Sequence, residues 1–155
     1  MIIKIALQPT TPLGKKYYEQ ILKQYQSLFA AMQPLVKETS GRHAYRQFGS
    51  LESRWGPREH MALAIDETTD TLLGFIHFSY STSGDRFLWI FNFYVAESER
   101  GKGTGRALME WVQDYGRKKG CGWASLGVLD NNVGAQRLYE SLGYITEARE
   151  MTLEL

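Results

Sequence analysis

Apolar and polar positions along this chain change period several times, and each change marks an element. Ile2 to Leu7 reads as a first strand, stopped by Gln8-Pro9-Thr10-Thr11-Pro12. From about Lys15, apolar residues fall at Tyr17, Tyr18, Ile21, Leu22, Tyr25, Leu28, Phe29 and Met32, the stripe of an amphipathic helix closed before Pro34. Leu35 to Pro57 is patterned more weakly. Phe48, Leu51 and Trp55 predict a second helix there, interrupted by Gly49. His60 to Ile65 and Leu72 to Tyr80 read as strands joined by a polar loop over 66–71. After the turn Ser81 to Asp85, Phe87 to Val95 is apolar or aromatic at every position but Asn92, the pattern of a strand buried on both faces. Ala107, Leu108, Trp111, Val112 and Tyr115 then recur at helical spacing, ending near Gly116 to Gly120. Trp123 to Leu129 predicts another buried strand. Asp130 to Gly134 breaks it and starts a helix carrying Ala135, Leu138, Tyr139 and Leu142, which stops at Gly143. Tyr144 to Leu155 predicts a closing strand, alternating best from Met151.

The resulting order, βααβββαβαβ, predicts an α/β (α+β) fold with a mixed central sheet flanked by helices on both faces. No repeat, linker or low-complexity tract divides it, so residues 1–155 read as a single domain.

The candidate chemistry starts where the buried strand turns into a helix. Arg100-Gly101-Lys102-Gly103-Thr104-Gly105-Arg106 puts three glycines and three basic residues at that junction. Free N–H groups at a helix N-terminus attract anions, and glycine lets backbone approach a phosphate with no Cβ in the way. The stretch reads as a phosphate cradle. No Lys-Ser or Lys-Thr pair follows a glycine, so it is not a P-loop. A dinucleotide fingerprint would place glycine or alanine at Arg106.

The rest of the composition narrows the class. Net charge is +1, so no global field favours nucleic acid or an acidic membrane, and the basic residues of the loop are local equipment. The single cysteine, Cys121, excludes an internal disulfide and suits a reducing cytoplasm. No apolar run reaches membrane-spanning length and the start lacks a signal-peptide layout, so the expectation is a soluble cytoplasmic protein. No His/Cys/Asp cluster has metal-ligand spacing, and no metal is expected.

Arg100, Gly103 and Gly105 fit the pattern Arg/Gln-x-x-Gly-x-Gly/Ala, which resembles the acetyl-CoA pyrophosphate loop of the GCN5-related N-acetyltransferases, the GNAT superfamily. Asn132-x-x-Ala135-x-x-Leu138-Tyr139-x-x-x-Gly143-Tyr144 resembles that family's second signature, one helix and one strand further on. The resemblance implies transfer of an acetyl group from acetyl-CoA to a primary amine by direct attack. It implies that the Val95 backbone N–H polarises the thioester carbonyl, that the amides of Gly101, Lys102, Gly103, Thr104, Gly105 and Arg106 hold the pyrophosphate with Arg100, and that Tyr139 protonates the departing sulfur. Asn132 would contact the coenzyme arm or simply cap its helix.

The acceptor side is less defined. Alternation puts Trp89, Phe91 and Phe93 on one strand face, where they line a pocket or pack as core, and Leu88, Ile90 and Asn92 on the other. None of these is a base. Glu97 and Glu99 follow the strand as loop carboxylates, His43 and His60 carry no motif, and His77, between Ile76 and Phe78, is either a satisfied core histidine or a substrate contact. The expectation is that the acceptor's proton leaves through water. The acceptor is a small-molecule or peptide amine, and monomer and homodimer stay open. Two rival readings are a non-catalytic acyl-CoA-binding or sensing domain and a nucleotide-binding protein using the same loop.

Overall fold

The structure, a computed structural model, describes residues 1–40, 42 and 50–155. Its elements are β1 (Ile2–Ala6), α1 (Pro12–Lys37), β2 (Glu59–Asp66), β3 (Thr71–Tyr80), β4 (Phe87–Val95), α2 (Thr104–Lys119), β5 (Trp123–Leu126) and α3 (Val133–Ser141), with a 3-10 turn at Glu97–Glu99. They fall into two compact units, one of Met1–Tyr25 with Gly49–Gly127, the other of Gln26–Phe48 with Val128–Leu155.

The first unit holds a five-stranded sheet in the order β1-β2-β3-β4-β5. The first four strands pair antiparallel and β5 joins β4 in parallel, the mixed sheet the pattern predicts. Tyr17, Ile21 and Tyr25 recur every fourth residue on α1, so they share a stripe, and all three are buried. Tyr25 stacks on Phe75 of β3 with ring centroids 4.7 Å apart. The same helix is tied to β3 by polar bonds: Gln24 Nε2 donates to the Leu72 carbonyl and Gln20 Oε1 accepts from the Leu72 N–H, both at 2.7 Å. On the opposite face, Leu108, Met109 and Val112 of α2 are buried and Tyr115 meets Phe78 edge-on. Gly74 lets β4 and α2 come close: a Cβ there would lie 2.6 Å from the Tyr94 carbonyl oxygen and 3.3 Å from Leu108 Cδ1.

In the second unit, Asn131 Nδ2 donates to the Leu35 carbonyl at 2.9 Å, joining the end of α1 to the turn before α3. Arg42 pairs with Glu150 at 3.3 Å.

Several expectations are corrected. Helix α1 passes through Pro34 to Lys37, so the proline, which has no N–H to give the Ala30 carbonyl, does not end the helix as the pattern expects. Past the end of α1, the described residues of its would-be successor over Leu35 to Pro57 hold only turns and bends, at 38–40, 42, 51–55 and 57, while Phe48, Gly49 and His43 lie outside the described residues. β4 is buried on one face only, with Phe87, Trp89 and Phe91 exposed on the other. β5 stops at Leu126 and leaves Trp123 exposed. Residues 144–155 hold no strand: alternation specifies a strand only where a ladder partner takes its backbone groups, and Met151, Leu153 and Leu155 stand exposed.

Candidate active site

β4 carries a bulge that the sequence does not announce. His77 pairs with Asn92 but Phe78 pairs with Ile90, leaving Phe91 as the extra residue. Directly paired residues share a face. Trp89, paired with Ser79, and Asn92, paired with His77, therefore lie on the α1 face, and the Phe91 ring sits there too, 5.0 Å from the His77 ring. Phe93 pairs with Ile76 and belongs to the α2 face, so the expected row of Trp89, Phe91 and Phe93 is split.

The bulge also marks where β4 loses its second neighbour. β5 pairs with Phe87 to Ile90 and no further, so 91–95 have no ladder partner on that edge among the described residues. The Ala96 N–H bonds the Leu73 carbonyl at 2.9 Å, toward β3. Successive N–H groups of a strand point to opposite sides, so the Val95 N–H and carbonyl face the open edge. Arg100 Nε donates to that Val95 carbonyl at 3.2 Å, and its guanidinium lies 5.6 Å from the Tyr94 ring centroid.

The loop that follows is left-handed at both glycines, with φ +75° at Gly101 and +87° at Gly103. A Cβ at either would meet no atom within 4 Å, so the loop surface is open backbone. The first helical bond of α2 runs from the Ala107 N–H to the Gly103 carbonyl at 3.0 Å, and the N–H groups of Thr104, Gly105 and Arg106 have no acceptor within the helix. Thr104 is buried. Acids offset part of the basic charge: Lys102 pairs with Glu99 at 3.2 Å and Arg106 with Glu110 at 3.6 Å. The residues present fit an anion with several oxygens, because bare amides and a helix N-terminus converge on a surface kept clear of side chains.

A second group of polar side chains lies on the α1 face of the sheet. The His77 Nε2–H donates to Glu59 Oε2 at 2.6 Å, while His77 Nδ1 accepts from the Tyr25 hydroxyl at 2.5 Å. Asn92 Nδ2 donates to Tyr25 Oη at 3.1 Å and lies 3.2 Å from His77 Nδ1. Burial pushes the His77 pKa down, and Glu59 only partly opposes it, so the neutral ring with its proton on Nε2 satisfies every partner. His77 is thus a satisfied histidine, but of a polar group. Sequence reasoning missed Glu59 and Tyr25, because their separations from His77 carry no local signal.

In the second unit, Asn132 caps α3, its Oδ1 accepting from the Ala135 N–H at 3.4 Å. Gly143 adopts φ +90° just past the helix, and the Tyr144 N–H returns to the Tyr139 carbonyl at 3.0 Å. That turn brings the Tyr144 ring edge-on to Tyr139, with centroids 5.9 Å apart. Burial first, then Tyr144, raises the Tyr139 pKa to about 12. Elsewhere, Glu97 sits in the 3-10 turn, and His60 packs its ring on Phe78 and Tyr80. The Cys121 thiol is half-buried, and burial raises its pKa.

The profile of the Acetyltransferase (GNAT) family matches residues 17–144, most of the chain and both glycine-bearing motifs. The chain belongs to the GNAT acetyltransferase family. The thialysine N-epsilon-acetyltransferase of Bos taurus is 39% identical over 77 residues, 48% of this chain and 45% of that protein, so this match spans less than half of the relative's length. The D-amino-acid N-acetyltransferase HPA3 of Saccharomyces cerevisiae is 29% identical over 149 residues, 93% of this chain and 87% of that protein. Among solved structures, the aminoglycoside N-acetyltransferase AAC(6')-Iy in complex with CoA superposes with a TM-score of 0.68 at 16% identity, over 99% of this chain and 98% of that one, a likeness of fold. Among the described residues no His/Cys/Asp/Glu group could hold a metal ion, and no helix is long and apolar enough to cross a membrane.

Proposed function

We propose that residues 1–155 act as one GNAT domain that transfers the acetyl group of acetyl-CoA to a primary amine by direct attack, in the cytoplasm. The observation that carries this reading is the junction after β4, where an edge without a partner strand runs straight into an open, left-handed glycine loop at a helix N-terminus. The loop amides from Gly101 to Arg106 hold the pyrophosphate, and Arg100 braces the end of β4 through the Val95 carbonyl. The Val95 N–H then aims at the thioester oxygen, where negative charge develops as the amine attacks, and a fixed donor there acts without reorganising. The amine nitrogen bonds to the acetyl carbon, the C–S bond breaks and coenzyme A leaves as a thiolate. Tyr139, kept protonated by its raised pKa, donates its hydroxyl proton to that sulfur, and the phenolate left behind takes a proton back from water. The ammonium proton lost before attack and the second proton the nitrogen sheds as the tetrahedral intermediate collapses both pass to water, and Asn132 braces the coenzyme arm while capping α3.

The test is acetyl-CoA turnover, followed as free thiol released, across aminoglycosides, polyamines, amino acids, arylamines and peptides. Thiol release that depends on one amine class, with a stoichiometric N-acetyl product, is the expected result. Tight coenzyme A binding with no acceptor-dependent turnover would refute the enzymatic reading in favour of an acyl-CoA-sensing domain.

A further inference from the structure

We propose that Asn92 is a positioning residue: it locks the bulged register of β4, and so decides which backbone N–H stands at the open edge and how far it lies from the glycine loop. This rests on the acetyltransferase reading above, in which that donor is the Val95 N–H. Asn92 is the one position from Phe87 to Val95 that is neither apolar nor aromatic. Its Nδ2 donates to Tyr25 Oη at 3.1 Å and lies 3.2 Å from His77 Nδ1. Both partners are themselves held. The Tyr25 ring is buried against Phe75, and its hydroxyl donates to His77 Nδ1. His77 is buried and donates from Nε2 to Glu59 Oε2, the same oxygen that takes the Gly56 N–H at 2.8 Å.

The alternative register is one residue away. Without the extra residue at Phe91, the ladder that pairs Phe78 with Ile90 would run on to set Phe91 opposite His77, Asn92 opposite Ile76 and Val95 opposite Leu73. Asn92 would then cross to the α2 face, where Ile76, Leu108, Met109 and Val112 are buried. An amide left unpaired among apolar side chains is costly, whereas the bulged register gives it polar partners. The rings nearby discriminate less. Phe91 is exposed and Phe93, Tyr94 and Val95 are only half-buried, so either face suits them.

The register matters to the chemistry because the open edge is read out residue by residue. The residue opposite Leu73 gives its N–H to the Leu73 carbonyl, as Ala96 now does at 2.9 Å. A slip of one residue would put the Val95 N–H there and turn it away from the open edge. The donor facing outward opposite Gly74 would become the Tyr94 N–H, one residue, ~3.3 Å of strand, further from the loop. Arg100 would also lose the Val95 carbonyl that it reaches at 3.2 Å. Thioester and pyrophosphate belong to one coenzyme molecule, so donor and loop serve it together only at a fixed spacing.

Amide hydrogen exchange, read residue by residue by NMR on the free protein, tests the lock. In the wild type the Val95 amide should exchange fast and the Ala96 amide slowly. Asn92→Leu removes the amide and suits the α2 face, so it should reverse the two. It should also lower kcat by about tenfold or more with coenzyme A affinity nearly unchanged, because the loop survives and only its spacing from the donor is lost. Tyr25→Phe keeps the ring on Phe75 and removes one partner of the amide, so it should move both readouts the same way by less. It replaces Asn92→Leu should that variant fail to fold in a thermal melt. Wild-type exchange at Val95 and Ala96 in the variants, slow exchange at Val95 in the wild type, or a reversal that leaves kcat intact overturns the proposal. Exchange needs no substrate, so a reversal in a protein that turns over no amine keeps the lock and sinks the enzyme.

Discussion

Replacing Gly103 by alanine separates what the loop does for the fold from what it does for a ligand. Gly103 sits at φ +87°, where an L side chain is strained, yet its new Cβ would touch nothing within 4 Å. The cost to the free protein is therefore backbone strain alone, ~1–2 kcal/mol. For a chain of this size that lowers Tm by about 2–8 °C. A bound pyrophosphate changes the account, because the methyl then stands on the surface that the amides of Thr104, Gly105 and Arg106 share with the phosphate oxygens. Losing one charge-assisted hydrogen bond costs ~1.5–3 kcal/mol, or about 10- to 150-fold in Kd. Gly84→Ala is the matched control: Gly84 lies in the β3–β4 turn at φ +62°, also with nothing within 4 Å of its Cβ. Thermal melts should show similar losses for both variants, while calorimetry with coenzyme A should show weaker binding only for Gly103→Ala. Unchanged affinity in Gly103→Ala, or an equal loss in Gly84→Ala, would refute the cradle.

Tyr139→Phe keeps the ring against Tyr144 and removes only the hydroxyl, so kcat should fall by about 10²-fold with little change in the acetyl-CoA KM; a change confined to KM would make Tyr139 a binding residue. Gly74→Ala drives a Cβ to 2.6 Å from the Tyr94 carbonyl oxygen, and backbone cannot rotate away, so denaturant unfolding should show a loss of ~1–3 kcal/mol; wild-type stability would deny the close approach. The folded pKa of His77 lies below its unfolded value of about 6.5, so its contribution to stability is complete above that pH and is lost as pH falls through the folded value. His77→Gln should flatten the acid side of a Tm-against-pH curve, and an unchanged curve would assign that loss of stability to other groups.

Much of this protein was legible in the chain itself, because much of it is local. Helix α2 and its glycine loop follow from apolar spacing and from residues that tolerate left-handed backbone, and Gly143 stops α3 by the same logic. Hairpin β2–β3 is read from two apolar runs and a polar turn. What the pattern misjudged was burial. Phe87 to Val95 is apolar or aromatic but for Asn92, yet a run of large rings does not say whether anything covers both faces, and here one face stays exposed. Met151 to Leu155 alternates as a strand would, but a strand also needs a partner for its backbone.

The bulge at Phe91 shows the boundary most clearly. A two-residue period counts faces correctly only while the register holds, and one extra residue carries Asn92 to the face of His77 and Phe93 to the other. The polar group of Glu59, His77, Tyr25 and Asn92 draws on three strands and a helix, with 67 residues between the hydroxyl and the amide that bonds it. By itself the sequence determined the glycine loop, the helix caps and the family, since each depends on residues close together in the chain. Only the tertiary structure decided which edge of β4 lies open and which polar side chains meet on the α1 face, because strand register and packing are set by residues far apart in sequence.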